Sequence, residues 1–300
     1  MARAHDPNRR AERPPRLRRE LAQHHLRDPR AARPLVEFLR PAGRSVLEVG
    51  PGGGALTRLL LEAGAARVVA VELDLAWAVE LARRAGAAWA GRGGGPIADG
   101  GARGAGAGAP HALSVVAGDA LEMAWDRLPA TWLLAGNLPY NVGTALLERV
   151  LASAPPGIRC GFLLQKEVVD RLVAQPGTKE YGALSVLVAA RAAVRRLGTL
   201  RPGAFVPAPS VESSFVGVEL RPAPLAREGL AALERVVRAA FGQRRKTLRN
   251  ALGAVFGRER AEALLAQAGL DPAQRAERLA PESFFALARL LASAGPRATP

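Results

Sequence analysis

From Ser45 onward, short apolar runs alternate with stretches whose apolar residues recur every three or four positions. The runs 45–49, 67–71, 113–117, 131–135 and 158–164 read as buried strands. Leu56, Leu59, Leu60 and Leu61 carry one helix, a second begins near Leu75, and a third spans about 165–174. Ahead of them, Leu35, Phe38 and Leu39 have helical spacing and predict a short helix over 30–40. Apolar strands interleaved with amphipathic helices are what a parallel sheet covered on both faces requires, so the fold class is α/β. Two further β-like runs, 192–197 and 214–220, flank the proline-rich loop Phe205-Val206-Pro207-Ala208-Pro209. After Pro222-Ala223-Pro224 only helical spacing remains. The expected division is therefore a large α/β domain over 21–222 and a small all-α C-terminal domain over 223–300.

Two segments stand outside this pattern. Residues 1–20 are rich in arginine and proline without apolar periodicity and read as a flexible basic arm. Residues 91–110 are almost entirely glycine, alanine and proline, a low-complexity insertion between the second and third strands.

Composition narrows the class. The formal net charge is +15 and the pI about 11.4, which points to a polyanionic partner. Nearly all of that charge is arginine, since lysine occurs only at 166, 179 and 246, so base composition shares in it. The single cysteine, Cys160, excludes an intrachain disulfide and fits a reducing cytoplasm. Four histidines without a cysteine cluster give no structural zinc signature, and no metal is expected. No apolar run approaches the length of a membrane span, and the start lacks a signal-peptide core.

The candidate chemistry lies at successive strand ends. Glu48-Val49-Gly50-Pro51-Gly52-Gly53-Gly54 joins the first strand to its helix, and Gly50 and Gly52 let the backbone approach a ligand closely. No Lys-Ser/Thr follows, so it is not a phosphate loop. Glu72 ends the next strand, where an acid accepts both hydroxyls of a ribose. Asp119 ends the third, where a carboxylate can accept from an adenine amine. Asn137-Leu138-Pro139-Tyr140 ends the fourth. A dinucleotide site would share Glu72 but leave Asp119 and the last turn unexplained; S-adenosylmethionine accounts for all four.

The last turn suits an amine acceptor. The Asn137 side-chain oxygen and the Leu138 carbonyl can accept the two hydrogens of an adenine N6. Pro139 fixes the turn without a competing N–H, and Tyr140 can stack on the base. Phe205, on its rigid loop, is a candidate to close over a flipped base or, equally, a core anchor of that loop. The run 243–250 has four cations and no acid, which makes Arg244, Arg245, Lys246 and Arg249 candidates for phosphate contacts.

These motifs identify a resemblance. With Gly118-Asp119-Ala120, Leu164-Gln165-Lys166-Glu167, Tyr181-Gly182-Ala183-Leu184-Ser185-Val186 and 240–250, the chain resembles the KsgA/Erm family of ribosomal RNA adenine N6-methyltransferases over about 21–252, and its KsgA branch most. The resemblance implies a Rossmann-like, S-adenosylmethionine-dependent methyltransferase domain with a helical C-terminal domain. It implies dimethylation of two adjacent adenines near the 3′ end of small-subunit (16S) rRNA by a cytoplasmic monomer. The cofactor pocket would include Gln23, Glu48, Gly50, Gly52, Glu72, Asp119 and Asn137. The alternatives are an Erm-type large-subunit enzyme, a ribosome-assembly factor and, with Asp/Asn-Pro-Pro-Tyr/Phe expected instead, a DNA adenine methyltransferase. The chain departs from the family at His25, where an aromatic is usual, and both His24 and His25 are expected to be surface histidines.

Overall fold

A computed structural model describes Pro15 and residues 24–89, 112–243 and 245–293. Its centre is a seven-stranded sheet. The parallel strands are β2 (Ser45–Val49), β3 (Arg67–Glu72), β4 (Ala112–Ala117), β5 (Leu133–Asn137) and β6 (Arg159–Gln165). The spatial order is β4-β3-β2-β5-β6, followed by β9 (Ser213–Leu220) and then β7 (Ala192–Leu200) at the edge. The order reverses beside β2, between β3 and β5, which opens a crevice at the strand C-termini. That crevice is where Glu48, Glu72 and Asn137 lie.

The last two strands depart from the parallel pattern. β9 runs antiparallel between β6 and β7, with Phe162 opposite Val216 and Val194 opposite Val218. Helices α1 (Arg33–Leu39), α2 (Ala55–Glu62) and α3 (Leu75–Trp89) cover one side, with Leu35, Leu39, Leu60 and Phe215 fully enclosed. The helix expected over 30–40 starts three residues later. Asp28 caps a 3-10 turn over Pro29–Ala32, which leads into α1. On the other side, α4 (Gly143–Ser153) and α5 (Lys166–Leu172) pack Leu146, Leu147, Val150 and Val169 against Leu134, Cys160 and Phe162.

The C-terminal segment is all helical: α7 (Arg227–Phe241), α8 (Leu248–Phe256), α9 (Arg258–Gln267) and α10 (Pro281–Ser293). Its apolar core extends back into the preceding residues. Tyr181 and α6 (Ala183–Ala189) contribute to it, with Val186 packed among Val236, Leu252 and Phe284. The spacing of residues 183–189 carries no helical signal, because that helix is buried on two faces and has no polar stripe. A short antiparallel pair, β1 (His25–Leu26) with β8 (Phe205–Val206), ties the N-terminal segment to the proline-rich loop.

Candidate active site

The glycine loop after β2 turns on three positive backbone angles, with φ of 67° at Gly50, 47° at Gly52 and 78° at Gly54. Such values favour glycine. Gly50 N donates to Val71 O at 2.9 Å, which ties the loop to the neighbouring strand. A Cβ on Gly50 would lie only 3.7 Å from the Asn137 carbonyl oxygen, so loop and acceptor turn are adjacent walls of one site.

Two buried carboxylates face that loop. Glu72 Oε2 accepts from Gly52 N, and its Oε1 from Asp74 N, both at 3.0 Å. Each oxygen retains a lone pair for a hydroxyl donor. Glu48 is 1% exposed, and its Oε2 has no hydrogen-bond partner among the described residues. Burial pushes its pKa up to about 7, with Thr57 opposing the rise and the Glu72 carboxylate adding to it. Burial also raises Glu72. An orphaned buried carboxylate beside a glycine loop fits a cationic, ribose-bearing ligand.

On the other wall, Asn137 Nδ2 donates to the His24 carbonyl oxygen at 2.7 Å. That bond engages one of the amide's two N–H donors and orients Oδ1 as the acceptor available to a ligand. The Pro139 carbonyl is taken by Gly143 N at 2.8 Å and Val142 N at 3.2 Å, while the Leu138 carbonyl accepts no backbone N–H among the described residues. The Leu138 side chain is buried in the core, so its part in the site is played by the backbone. The Tyr140 hydroxyl is hydrogen-bonded to Ser213 Oγ on β9, and its ring lies 5.2 Å from that of His24. Ser213 had no signal of its own, because its partner lies 73 residues away in the chain.

Glu48, Gly50, Gly52, Glu72, Asn137, Leu138, Pro139 and Tyr140 thus line one cavity of about 220 Å³. Asp119 stands beside it rather than on its wall. It caps a 3-10 turn over Ala120–Glu122, and its Oδ1 accepts from Leu121 N at 2.8 Å. His24 and His25, both half-buried, are part of the cavity lining. His24 Nδ1 lies 2.8 Å from Pro207 O, and His25 packs edge-on against Trp77 at 4.8 Å.

Phe205 requires a correction. Its side chain is 1% exposed and packed with Leu35, Leu39 and Phe215, so it anchors the loop and does not close over a base. Its carbonyl accepts from Arg27 Nε at 3.1 Å. Arg245, Lys246 and Arg249 are exposed between α7 and α8 and at the start of α8, outside the cavity. Gln23, Arg244, the 91–110 insertion and, apart from Pro15, the basic arm lie outside the described residues. Among the described residues, no group of three or more His, Cys, Asp or Glu side chains is placed to hold a metal. No helix among them is long and apolar enough to cross a membrane.

The sheet order, the glycine loop and the acidic strand ends define a Rossmann-like methyltransferase that uses S-adenosylmethionine. Comparison narrows the class further. Residues 110–293 match the family described as ribosomal RNA adenine dimethylase. The ribosomal RNA small subunit methyltransferase A of Rhodospirillum rubrum is 46% identical over 252 residues, covering 84% of this chain and 79% of that one. The chain therefore belongs to the ribosomal RNA adenine dimethylase family. A dimethyladenosine transferase from Plasmodium falciparum shares the fold, with a TM-score of 0.72 at 20% identity over 88% of this chain and 96% of the other. The 23S rRNA methyltransferase ErmE aligns with a TM-score of 0.60 and 25% identity over 88% and 98%.

Proposed function

We propose that the protein dimethylates N6 of two adjacent adenosines in the 3′-terminal hairpin loop of small-subunit (16S) rRNA, acting as a cytoplasmic monomer. The relative that acts on the small subunit by name is 46% identical, against 25% for the large-subunit enzyme, and this carries the choice of subunit. When bound, S-adenosylmethionine supplies an electrophilic methyl group. Glu72 would hold the ribose hydroxyls and Glu48 would balance the cofactor's positive charge. Asp119, two residues past the end of β4, whose Ala117 pairs with Glu72, would take the cofactor's adenine amine.

The acceptor amine is a poor nucleophile because its lone pair is delocalised into the base. The Asn137 oxygen and the Leu138 carbonyl would accept its two hydrogens and turn the lone pair out of the ring plane. Tyr140, held by Ser213, would stack on the base. The N6 proton displaced on methylation leaves to solvent, so no strong base is required, and positioning supplies most of the rate. Residues 223–300, with Arg244, Arg245, Lys246 and Arg249 at their near end, would grip the RNA.

The reading is tested by methyl transfer from labelled S-adenosylmethionine to small subunits lacking dimethyladenosine, with naked large-subunit RNA as control. Dimethyladenosine in the small subunit alone is expected. Product only in large-subunit RNA would overturn the choice of subunit, and no product in either would favour an assembly-factor role.

A further inference from the structure

Two of the chain's three lysines line a single cavity away from the active site. Lys179 and Lys246 face it together with Arg278, and its volume is about 360 Å³. This is the size of a small-molecule site and larger than one phosphate needs. The third lysine, Lys166, bridges to Asp170 at 2.8 Å. In a chain whose cations are otherwise all arginine, this concentration of ammonium groups on one cavity is a feature of the site. An ammonium is a compact charge with three rotatable donors, suited to a phosphate approached from several directions.

The three cations come from segments far apart in sequence that hydrogen bonds lock together. Gly177 N donates to Glu277 O at 2.7 Å, and the Tyr181 hydroxyl donates to Leu279 O at 2.8 Å. Leu248 N donates to Gln274 O at 2.8 Å and Arg249 N to Pro272 O at 3.2 Å. These bonds fix the loop 175–181, the segment around 272–279 and the basic turn 245–249 as one surface. Gly177, with φ of 87°, turns the loop left-handed beside the Arg278 guanidinium. Tyr181 and Phe241, edge to face at 6.0 Å, form part of the apolar lining. One carboxylate also lines the cavity, Glu277, and its Oε1 lies 4.0 Å from Arg275 Nη1. The balance of charge remains positive.

We propose that this cavity is a phosphate-binding site for a backbone phosphodiester of the RNA acceptor, held by Lys179, Lys246 and Arg278. It joins the loop after α5 to the exposed turn ahead of α8, so RNA seated there would touch both the α/β part and the helical segment. The site rests on the RNA-methyltransferase reading above and extends it to residues outside the 243–250 run.

The test is binding of the full chain to small subunits lacking dimethyladenosine over a series of KCl concentrations, for wild type and the double variant Lys179→Ala/Arg278→Ala. Loss of that one phosphate contact should make the log K against log [salt] slope shallower by roughly 0.7. The charge-conserving pair Lys179→Arg/Arg278→Lys should restore it, and the loss in turnover should fall on KM for the subunit. An unchanged slope on a wild type that does bind overturns the site alone. A wild type without salt-dependent binding to subunits overturns the functional reading and the site with it. Acylation of Lys179 and Lys246, read by mass spectrometry, separates the possible sources of phosphate. Protection by RNA supports the site, whereas protection by inorganic phosphate but not by RNA would overturn it in favour of a small-anion pocket.

Discussion

The side-chain nitrogen of Asn137 donates to the backbone carbonyl of His24 at 2.7 Å, across 113 residues of chain. This bond sets the amide's orientation: one of its two N–H donors is held by the N-terminal segment and its oxygen is left for the acceptor amine. Replacing Asn137 by Ala removes the acceptor oxygen. Asn137→Asp keeps an oxygen but sets a carboxylate against the His24 carbonyl. Both variants are expected to lower kcat by about 10²-fold or more, with cofactor affinity changed much less. Single-turnover methylation beside cofactor titration checks this. An active Asn137→Asp protein would show that the His24 bond does not orient the site.

Gly52 is the point of the cofactor loop that presses on His25. Its φ is 47°, and a Cβ there would stand 2.8 Å from His25 Nε2. Gly52→Ala should weaken S-adenosylmethionine binding by about 1–2 kcal/mol through backbone strain, plus the cost of displacing His25. Adding His25→Ala should recover the displacement cost only. Calorimetry on the four proteins of that cycle measures the two contributions separately, and full recovery would mean that strain is absent.

Gly136 lies where β5 meets β2. A Cβ there would come within 2.8 Å of the Val49 carbonyl oxygen and 2.7 Å of Leu138 Cδ2. Backbone on one side cannot give way without parting the strands that carry Glu48 and Asn137. Gly136→Ala should cost about 1–3 kcal/mol or more in urea unfolding. A midpoint equal to that of wild type would refute the packing account.

Glu48 makes the protein sensitive to pH near neutrality. Burial raises its carboxyl from the usual 4.5 to about 7, so the folded state holds a proton that the unfolded chain releases. Stability of the cofactor-free protein should therefore fall as pH rises from about 4.5 to about 7 and level off above, by about 3 kcal/mol in all. Glu72 is shifted the same way by burial, so Glu48→Gln should flatten this slope without abolishing it. The affinity for the cationic cofactor should run the other way, rising through neutral pH in wild type and less in Glu48→Gln. Thermal melts and cofactor titrations at pH 5 to 8 supply both curves. Parallel curves for the two proteins would assign the slope to other groups.

Much of the site was legible in the residues themselves. The glycine loop, Glu72 and the Asn137–Tyr140 turn stand at strand ends that apolar runs mark out. The structure brings them together because successive parallel strands deliver their C-termini to one edge of the sheet. Periodicity reports which face of an element is buried, and glycine reports where the backbone must come close or turn left-handed. Both signals are local, so they survive without the fold. Partners across the fold are not local. That β9 inserts antiparallel beside β6 brings Ser213 to Tyr140, and pairing of β1 with β8 puts Phe205 into the core and His24 against Asn137. Lys179, Lys246 and Arg278 meet only because backbone bonds join three segments around one cavity. Strand order and helix docking decide such contacts, through the burial and hydrogen-bond demands of the whole chain rather than of any one stretch of it.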